Sequence, residues 1–379
     1  MAYNNSGLGW SEAQWEMVNN AVAEAFGKAS VAGAFLPRYG PLPESAEYVR
    51  DERFTKTGAE VTVGDNTTLK LFNLTVKVEV SNEQAADDAL SSALLAFRRA
   101  ANTLAQVEDD IVFNGFDPDD ATNKRREVQK TRAAFAQSLQ GKPKTAAKIN
   151  LEKAQRAART ALVVVSDHPD PSTGLANVDS NASPIPRPEP PAEESDVGGH
   201  VVAEVVAAIG RLEDDSHPGP FACVLGPSLF VEVHRPVKGS LVLPADRITP
   251  LLNGPLLRSG QMASDRGIVV SLAAGAIDIV VATPPKAQFL QRTANAKYLF
   301  RVYERFVLRI KDKKDKDDKD KEPPRPAVRA FEIGPAPAVL AVRVGGTGDA
   351  PAGVPPSAGS AAPPDAAPPS GVQIEYQIK

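Results

Sequence analysis

Residues 220–281 decide the fold of this chain. They include PFACVLGPSLFVEVHRP at 220–236, ITPLLNGPLLRSG at 248–260 and RGIVVSLAAGAIDIVV at 266–281. The dense apolar runs are too short to be anything but buried strands, and the segment between them is rich in Gly, Pro and Arg. AAGAID predicts a tight hairpin turn around Gly275. The stretch holds no nucleophile–base pair, metal-ligand spacing or phosphate loop, which favours a protein that acts through a surface or an assembly.

The composition is that of an ordinary globular protein. The length of 379 residues predicts two or three domains, and the net charge of −4 indicates no electrostatic partner for the chain as a whole. No apolar run reaches membrane-spanning length, and the first residues, MAYNNSGLGW, do not have the pattern of a signal peptide. The single cysteine, Cys223, lies in an apolar strand pattern and is expected to be buried. A cytoplasmic location fits these features.

The sequence predicts no catalytic or metal-binding constellation. No two histidines have metal-ligand spacing, and Cys223 has no second thiol. The segment GPSLF around Ser228 lacks the G-x-S-x-G pattern of a nucleophile turn and an evident base. Glu108, Asp109 and Asp110 are consecutive on a helix, where successive side chains splay by about 100°. They are therefore expected to form a polar helix end, and no catalytic residue, metal or cofactor is expected.

Helical and strand patterns alternate in the first third of the chain. Ser11 is predicted to cap a helix over SEAQWEMVNNAVAEAFGKA, with Gln14 completing a capping box. The segments EVTV and LKLFNLTVKVEV, separated by a GDNT turn, alternate as half-exposed strands do. A long helix is predicted over 89–115, with Gly115 as its C-terminal stop. Its apolar face comprises Leu90, Leu94, Phe97, Ala101, Leu104 and Ile111.

Two inserts and a tail interrupt the rest of the chain. Residues 117–196 combine a basic, helix-favouring segment at 121–163 with a Pro-rich stretch typical of disordered or polyproline chains. The run KDKKDKDDKDKE at 311–322 is nearly neutral and predicts a solvated hairpin insertion between two strands. The preceding strand, AKYLFRVYERFVLRI, is predicted to have arginines on one face. Its other face would comprise Phe300, Val302, Phe306, Leu308 and Ile310.

The order of these pieces resembles that of the encapsulins, the shell proteins of bacterial nanocompartments (also called the linocin-type bacteriocin family). The similarity covers about 10–116 and 197–333. It rests on SEAQW, PRYGPLPE, LTVKVEV, VEDDIVFNG, VVAEVVAAIGRLE, PFACVLGPSLF and the block that begins with ITPLLNGPLLRSG. The resemblance implies an α+β chain with the HK97-like fold of phage capsids. The inserts and the tail depart from the family pattern.

The resemblance also implies a peripheral domain, an axial domain and an extended arm, the E-loop, that pairs with a neighbouring subunit. The implied segments are 1–48 (N-terminal helix and connector of the peripheral domain), 49–75 (E-loop), 76–116 (peripheral strand and spine helix), 117–196 (insertion), 197–290 (axial domain), 291–334 (peripheral strands with the charged insertion 311–326) and 335–379 (C-terminal extension).

Two kinds of site follow from the resemblance. A pore loop is implied at HRPVKGSL, which comprises His234, Arg235, Pro236, Val237, Lys238, Gly239, Ser240 and Leu241. A cargo enzyme would be captured through its C-terminal targeting peptide against the first helix. The candidate contacts are Trp15, Val18, Val22, Phe26 and Phe113. The alternative for these apolar residues is that they form core against the long helix.

The expected function is that of a self-assembling icosahedral shell subunit, not itself an enzyme, that encloses a cargo enzyme and admits small solutes through pores. Its expected partners are further copies of itself and the cargo, with no membrane and no nucleic acid. The alternative is a viral or prophage major capsid protein that packages nucleic acid. Eleven Lys or Arg against two Glu at 121–163 support that alternative, but a single aromatic residue there offers little base stacking. A monomeric hydrolase is the third alternative.

Overall fold

The structure is a computed structural model that describes residues 8–57, 60–117, 172–178, 197–237, 240–273, 275–293, 295, 297–312 and 326–333. The basic segment at 121–163, most of the charged run and the C-terminal extension lie outside these residues. The described residues form two four-stranded sheets and two separate strand pairs. None of the helices in this part of the chain combines the length and apolarity that a bilayer crossing needs.

The first sheet is built around one long strand. Its order is β1 (Arg38–Tyr39), β10 (Ile277–Arg292), β11 (Tyr298–Ile310) and β4 (Phe72–Val80). The long strand β11 pairs antiparallel with both β10 and β4, and β1 pairs parallel with β10. The apolar face predicted for β11 is confirmed for four of its five residues, whereas near Leu308 the neighbours Val307 and Arg309 are the more buried side chains. Phe300, Val302, Phe306 and Ile310 are buried, and Leu308 is partly buried.

Two helices cover this sheet. The first, α1 (Glu12–Ala29), begins with the predicted capping box: the Ser11 hydroxyl accepts from the Gln14 backbone N–H at 3.3 Å, and Gln14 Oε1 accepts from the Ser11 N–H at 2.9 Å. The long helix α3 (Ser91–Asn114) buries the predicted face and ends at Gly115, whose φ of 80° suits glycine. A short helix, α2 (Asn82–Ala86), precedes α3. Both long helices contact each other and the sheet.

The second sheet has the order β12 (Val328–Glu332), β9 (Arg266–Ser271), β7 (Phe221–Leu225) and β8 (Leu256–Arg258). Three helices contact its strands or one another: α5 (Val197–Asp214), α6 (Pro227–Val233) and α7 (Pro244–Leu252). Every residue of β7 is buried, and Cys223 is fully buried, as predicted.

The residues after β7 were predicted to continue the apolar strand pattern, and that prediction is wrong. They form α6, because Pro227 lacks the N–H that a central strand needs and is well suited to the first position of a helix. The backbone N–H of Ser228 instead donates to the Ser264 carbonyl at 3.1 Å.

Two predicted hairpins are also wrong. Gly275 does adopt a left-handed φ of 61°, but the strands on either side of it, β9 and β10, belong to different sheets. The charged run likewise separates β11 in the first sheet from β12, which pairs antiparallel with β9 in the second sheet. A local pattern of strand, turn and strand cannot reveal this, because pairing partners are chosen by tertiary packing.

Two long strands pair with each other outside both sheets, and the Phe54 N–H, which donates to the Lys311 carbonyl at 3.1 Å, joins them to the chain just after β11. The first of them, β2 (Tyr48–Thr57), pairs antiparallel with β3 (Glu60–Lys70), and we call these two strands the arm. The GDNT segment at 64–67 is not a turn, because β3 continues through it with a register shift opposite Asp51 and Arg53. A short pair, β5 (Gly115–Phe116) with β6 (Ser172–Thr173), and the helix α4 (Leu175–Val178) complete the described elements, together with a 3-10 turn at Ala32–Ala34.

Candidate functional site

A groove of about 330 Å³ opens at the C-terminal end of α1. One wall is the last turns of α1, another is the chain around β1, and the third is the middle of β10. Pro284 and Pro285 lie in that third wall, where the pairing with β11 is irregular, because proline cannot donate to the ladder. A Cβ on Gly40 would lie 2.1 Å from the Val281 carbonyl, so only glycine fits there.

The groove has a mostly apolar lining with two polar side chains. The apolar side chains are Ala23, Phe26, Tyr39, Pro41, Val281, Pro284 and Pro285, and the polar ones are Ser30 and Arg38. A concave apolar surface with a few fixed polar groups is the common form of a binding site. We therefore take this groove as the candidate functional site.

Arg38 connects the groove to buried charge in the interior. Its Nη2 lies 2.7 Å from Glu108 Oε1 on α3, and its Nη1 lies 3.4 Å from Glu304 Oε1 on β11. Its guanidinium also lies over the Phe26 ring, 5.4 Å from the centroid. Both carboxyl groups are fully buried, and burial raises the pKa of each. For Glu304 the negative charge of Glu108 raises the pKa further.

Asp109 fixes the turn that follows α1. Its carboxylate accepts from the backbone N–H groups of Val31 and Ala32, each at 2.9 Å. Burial raises the pKa of Asp109 to about 7. The prediction of a polar helix end is therefore wrong for Glu108 and Asp109, whose partners lie about seventy positions away or more, beyond the reach of a local pattern.

Sequence reasoning missed Glu304, although a signal was present. Position 304 falls on the same alternating face as Phe300, Val302 and Phe306, so an acidic residue there points into the core. A charged residue on an apolar face is a sign of a buried partner. Arg38 carries no comparable signal in the sequence.

The predicted cargo contacts all lie inside the subunit. Trp15 packs edge-on against Trp10 with 5.2 Å between ring centroids, and Phe113 stacks on Phe35 at 6.4 Å. Val18, Val22 and Phe26 are buried as well, and of the five predicted contacts Phe26 lines the groove. The core interpretation of these residues is confirmed, and their contact with a cargo peptide stays a prediction.

The predicted pore loop begins at the C-terminal end of α6. The ring of His234 packs against Phe230 at a tilt of 33°, with 4.3 Å between ring centroids, and its Nδ1 lies 2.7 Å from the Phe230 carbonyl. Arg235 pairs with Glu232 at 3.2 Å, and Leu241 is fully exposed. Lys238 and Gly239 lie outside the described residues, so the role of the loop stays a prediction.

Within the described residues, no group of three or more His, Cys, Asp or Glu side chains is placed to hold a metal ion. His234 ends helix α6, which contacts the second sheet, whereas the buried carboxyl groups lie on α3 and on β11 of the first sheet.

Comparison with known proteins places the chain in a family. A family model described as "Encapsulating protein for peroxidase" matches residues 8–168 and 143–307, which is most of the chain. The type 1 encapsulin shell protein EncA of Myxococcus xanthus is 24% identical over 315 residues, with 79% of this chain and 90% of that protein covered. A diheme-cytochrome-encapsulin shell fusion protein of Kuenenia stuttgartiensis is 28% identical over 113 residues, 30% of this chain and 31% of that protein.

A solved structure shows the same fold. The virus-like particle from Pyrococcus furiosus matches with a TM-score of 0.52 and 14% identity, covering 84% of this chain and 99% of that chain. The α+β, HK97-like capsid fold implied by the sequence resemblance is thereby confirmed. With the family model matched from residue 8 to residue 307, the chain belongs to the encapsulin family, the shell proteins described as encapsulating proteins for peroxidase.

Proposed function

We propose that this chain is the subunit of a closed icosahedral shell in the cytoplasm, which encloses a cargo enzyme and admits small solutes through pores. Family membership supports the proposal, and the arm is the observation that carries it. We assign the first sheet to the peripheral domain, the second sheet to the axial domain and the arm to the E-loop. On this assignment the chain returns from the axial to the peripheral domain near Gly275, since β10 belongs to the first sheet, and it enters the axial domain again with β12.

The arm has the properties of a pairing edge that awaits a neighbour. Its strands have 10 and 11 residues, and among the described residues they pair with each other alone. Val63 and Tyr48 are 57% and 54% exposed despite their apolar surface. A two-stranded ribbon is marginally stable by itself and gains from further strands. Identical subunits that exchange such an edge by rotation close into a shell.

Assembly is tested by substituting the arm. Val63→Asp places a charge on its exposed apolar surface and should convert megadalton particles into subunits or small oligomers, measured by mass photometry and negative-stain imaging. Met17→Asp makes the same kind of change at a 40% exposed position of α1 and should leave the particles intact. A monomeric wild-type protein would overturn the shell proposal. Full-size particles of Val63→Asp would show that the arm is not needed for assembly.

We place cargo capture at the groove beside α1. The apolar lining and the flanking Arg38 suit a short peptide with apolar side chains, such as the C-terminal targeting peptide of a cargo enzyme. Gly27 lies on the groove wall with nothing within 4 Å of an added Cβ, so we expect the side chain introduced by Gly27→Leu to occupy the groove. We expect at least a tenfold loss of enzyme co-purified per particle, quantified by mass spectrometry.

Gly210→Leu is the matched control for that experiment. Gly210 is also helical with open space around its Cβ, but it lies on α5, remote from the groove in the fold. Its particles should keep their cargo. If Gly27→Leu particles carry as much cargo as wild-type particles, the groove is not the cargo site. The proposal of a shell would not be affected by that result.

We propose the loop at 234–241 as the pore. Lys238, repeated around a symmetry axis, would favour the passage of anions, as charged rings do in channels. Lys238→Glu should slow the entry of an anionic quencher into intact particles loaded with a fluorescent cargo, and unchanged kinetics would reject this assignment. Nuclease-protected nucleic acid inside purified particles would instead support the viral capsid alternative.

A further inference from the structure

We propose that Glu108 and Glu304 share one proton in the interior, and that losing this proton weakens the joint between α1, β1 and the first sheet. The joint is defined by Arg38, Glu108 and Glu304. This inference is independent of cargo binding and of assembly.

The geometry brings the two carboxyl groups to one cation. The Oε1 atoms of Glu108 and Glu304 lie 2.7 and 3.4 Å from the two Nη atoms of Arg38. Both side chains are fully buried. The Oε2 atom of each carboxyl group has no hydrogen-bond partner among the described residues. If both carboxyl groups were ionised, they could only accept hydrogen bonds. Both Oε2 atoms would then stay without a partner in the interior, at a considerable free-energy cost.

Charge balance around the joint requires a proton. Arg38 supplies one positive charge, while Glu108 and Glu304 together would carry two negative charges. The next residue on α3, Asp109, is a further acid, and the negative charge of Glu108 raises its pKa. From β4, the residue paired with Glu304 is the buried Leu74, which contributes no charge. One shared proton makes the joint neutral and supplies the missing hydrogen bond between the carboxyl groups.

The distances indicate which carboxyl group holds the proton. Glu108 is nearer to Arg38 and also faces the Ser30 hydroxyl, and both interactions favour its ionised form. Glu304 lies farther from the cation, so it carries the proton and donates to Glu108. The pKa of Glu304 is raised well above its ordinary value by burial and by the charge of Glu108, which agrees with this assignment.

The proton makes the folded chain sensitive to alkaline pH. An ordinary glutamate in the unfolded chain has a pKa of about 4.3. The folded chain therefore holds one proton more than the unfolded chain between that pH and the raised pKa. Stability from this proton is fully present below about pH 4 and falls as pH rises, and the unfolding equilibrium constant increases up to tenfold per pH unit for one proton.

Infrared spectroscopy of the purified wild-type protein tests the proton directly. At pH 8.5 most carboxyl groups, including Asp109 with its pKa of about 7, are ionised. We expect the C=O stretch of one protonated carboxyl group per subunit, with a shift in D2O. The absence of this band from the wild-type protein would overturn the proposal whether or not any variant folds.

Isosteric variants assign the band. Glu304→Gln replaces the protonated carboxyl group by an amide that can donate to Glu108, so the band should disappear while the particles remain. Glu24→Gln, the control, removes an exposed carboxylate on α1 that pairs with Lys28 and should leave the band unchanged. The thermal midpoint between pH 7 and 10 should fall less steeply for Glu304→Gln than for wild type. A retained band or an identical slope would contradict the shared proton.

Discussion

The two sheets of this chain have interiors of different chemistry. Around the second sheet nearly all buried side chains are apolar, and among the described residues the buried polar exceptions are Ser259 and Ser271. The interior of the first sheet contains the buried acids Glu108, Asp109 and Glu304 and, at its other end, an ion pair of 2.7 Å between Arg309 and Asp278. The first sheet therefore depends on the charge balance of fully buried acids and on pH, whereas the second depends mainly on packing, with its ion pair of Arg329 and Asp215 partly exposed.

Among the variants that test this comparison, Arg38→Met should cause the largest loss of stability. Arg38→Met keeps much of the side-chain volume but leaves the buried carboxyl groups without their cation. Breaking a buried pair in this way costs about 3–5 kcal/mol. We expect a loss of that size in the free energy of unfolding at pH 7.5, measured by urea denaturation. The loss should shrink at pH 5, where both carboxyl groups can be protonated.

The control for Arg38→Met is Arg235→Met. Arg235 forms an ion pair with Glu232, but its side chain is 67% exposed. Exposed pairs contribute about 0–1 kcal/mol, so this variant should be nearly neutral at both pH values. A similarly small loss for Arg38→Met would mean that the first sheet does not depend on its buried charge.

The apolar half of the structure could be predicted from the sequence much better than the charged half. The capped start of α1, the buried face of α3, the alternation of β11 and the burial of Cys223 follow from local periodicity. The joint around Arg38 could not be predicted, because its members are separated by 70 and 266 positions. The hairpins expected at Gly275 and at the charged run failed for the same reason, since sheet membership depends on distant partners.

The pH dependence of the free energy of unfolding is a second measurement that distinguishes the charged interior of the first sheet from the apolar interior of the second. Burial raises the pKa of Asp109 to about 7, so the folded chain binds this proton more tightly than the unfolded chain does. Stability is therefore lost as pH rises from about 4 through 7, by up to about 1.4 kcal/mol per pH unit. We expect the free energy of unfolding to fall between pH 5 and 8, and Asp109→Asn to flatten this dependence.

A packing variant in the second sheet provides the contrast. Cys223→Ala should lower the free energy of unfolding equally at pH 5 and pH 8, because its neighbours in the core are apolar. A pH-dependent effect of Cys223→Ala would break the distinction between the two sheets.

Cys223→Ser tests how strictly the second interior excludes polar groups. The thiol is fully buried among apolar side chains. It lies on β7, whose backbone N–H and C=O groups are paired with the neighbouring strands β8 and β9. A buried hydroxyl without a partner costs about 1–3 kcal/mol. We expect Cys223→Ser to be less stable than Cys223→Ala in urea denaturation, although serine is the closer match in size. Equal stabilities would show that the hydroxyl finds a partner.

The smallest expected effect concerns the chain that passes from one sheet to the other. Gly275 has a left-handed φ of 61° and open space where a Cβ would lie. Gly275→Ala should therefore cost about 1 kcal/mol through backbone conformation alone. Gly210→Ala is the same change inside α5, also with open space, and should stabilise by about 0.5–1 kcal/mol because alanine favours the helix. A lower thermal midpoint for Gly275→Ala and a higher one for Gly210→Ala would show that the chain between the sheets requires this φ. Changes of the same sign would mean that the backbone at residue 275 can adopt another conformation.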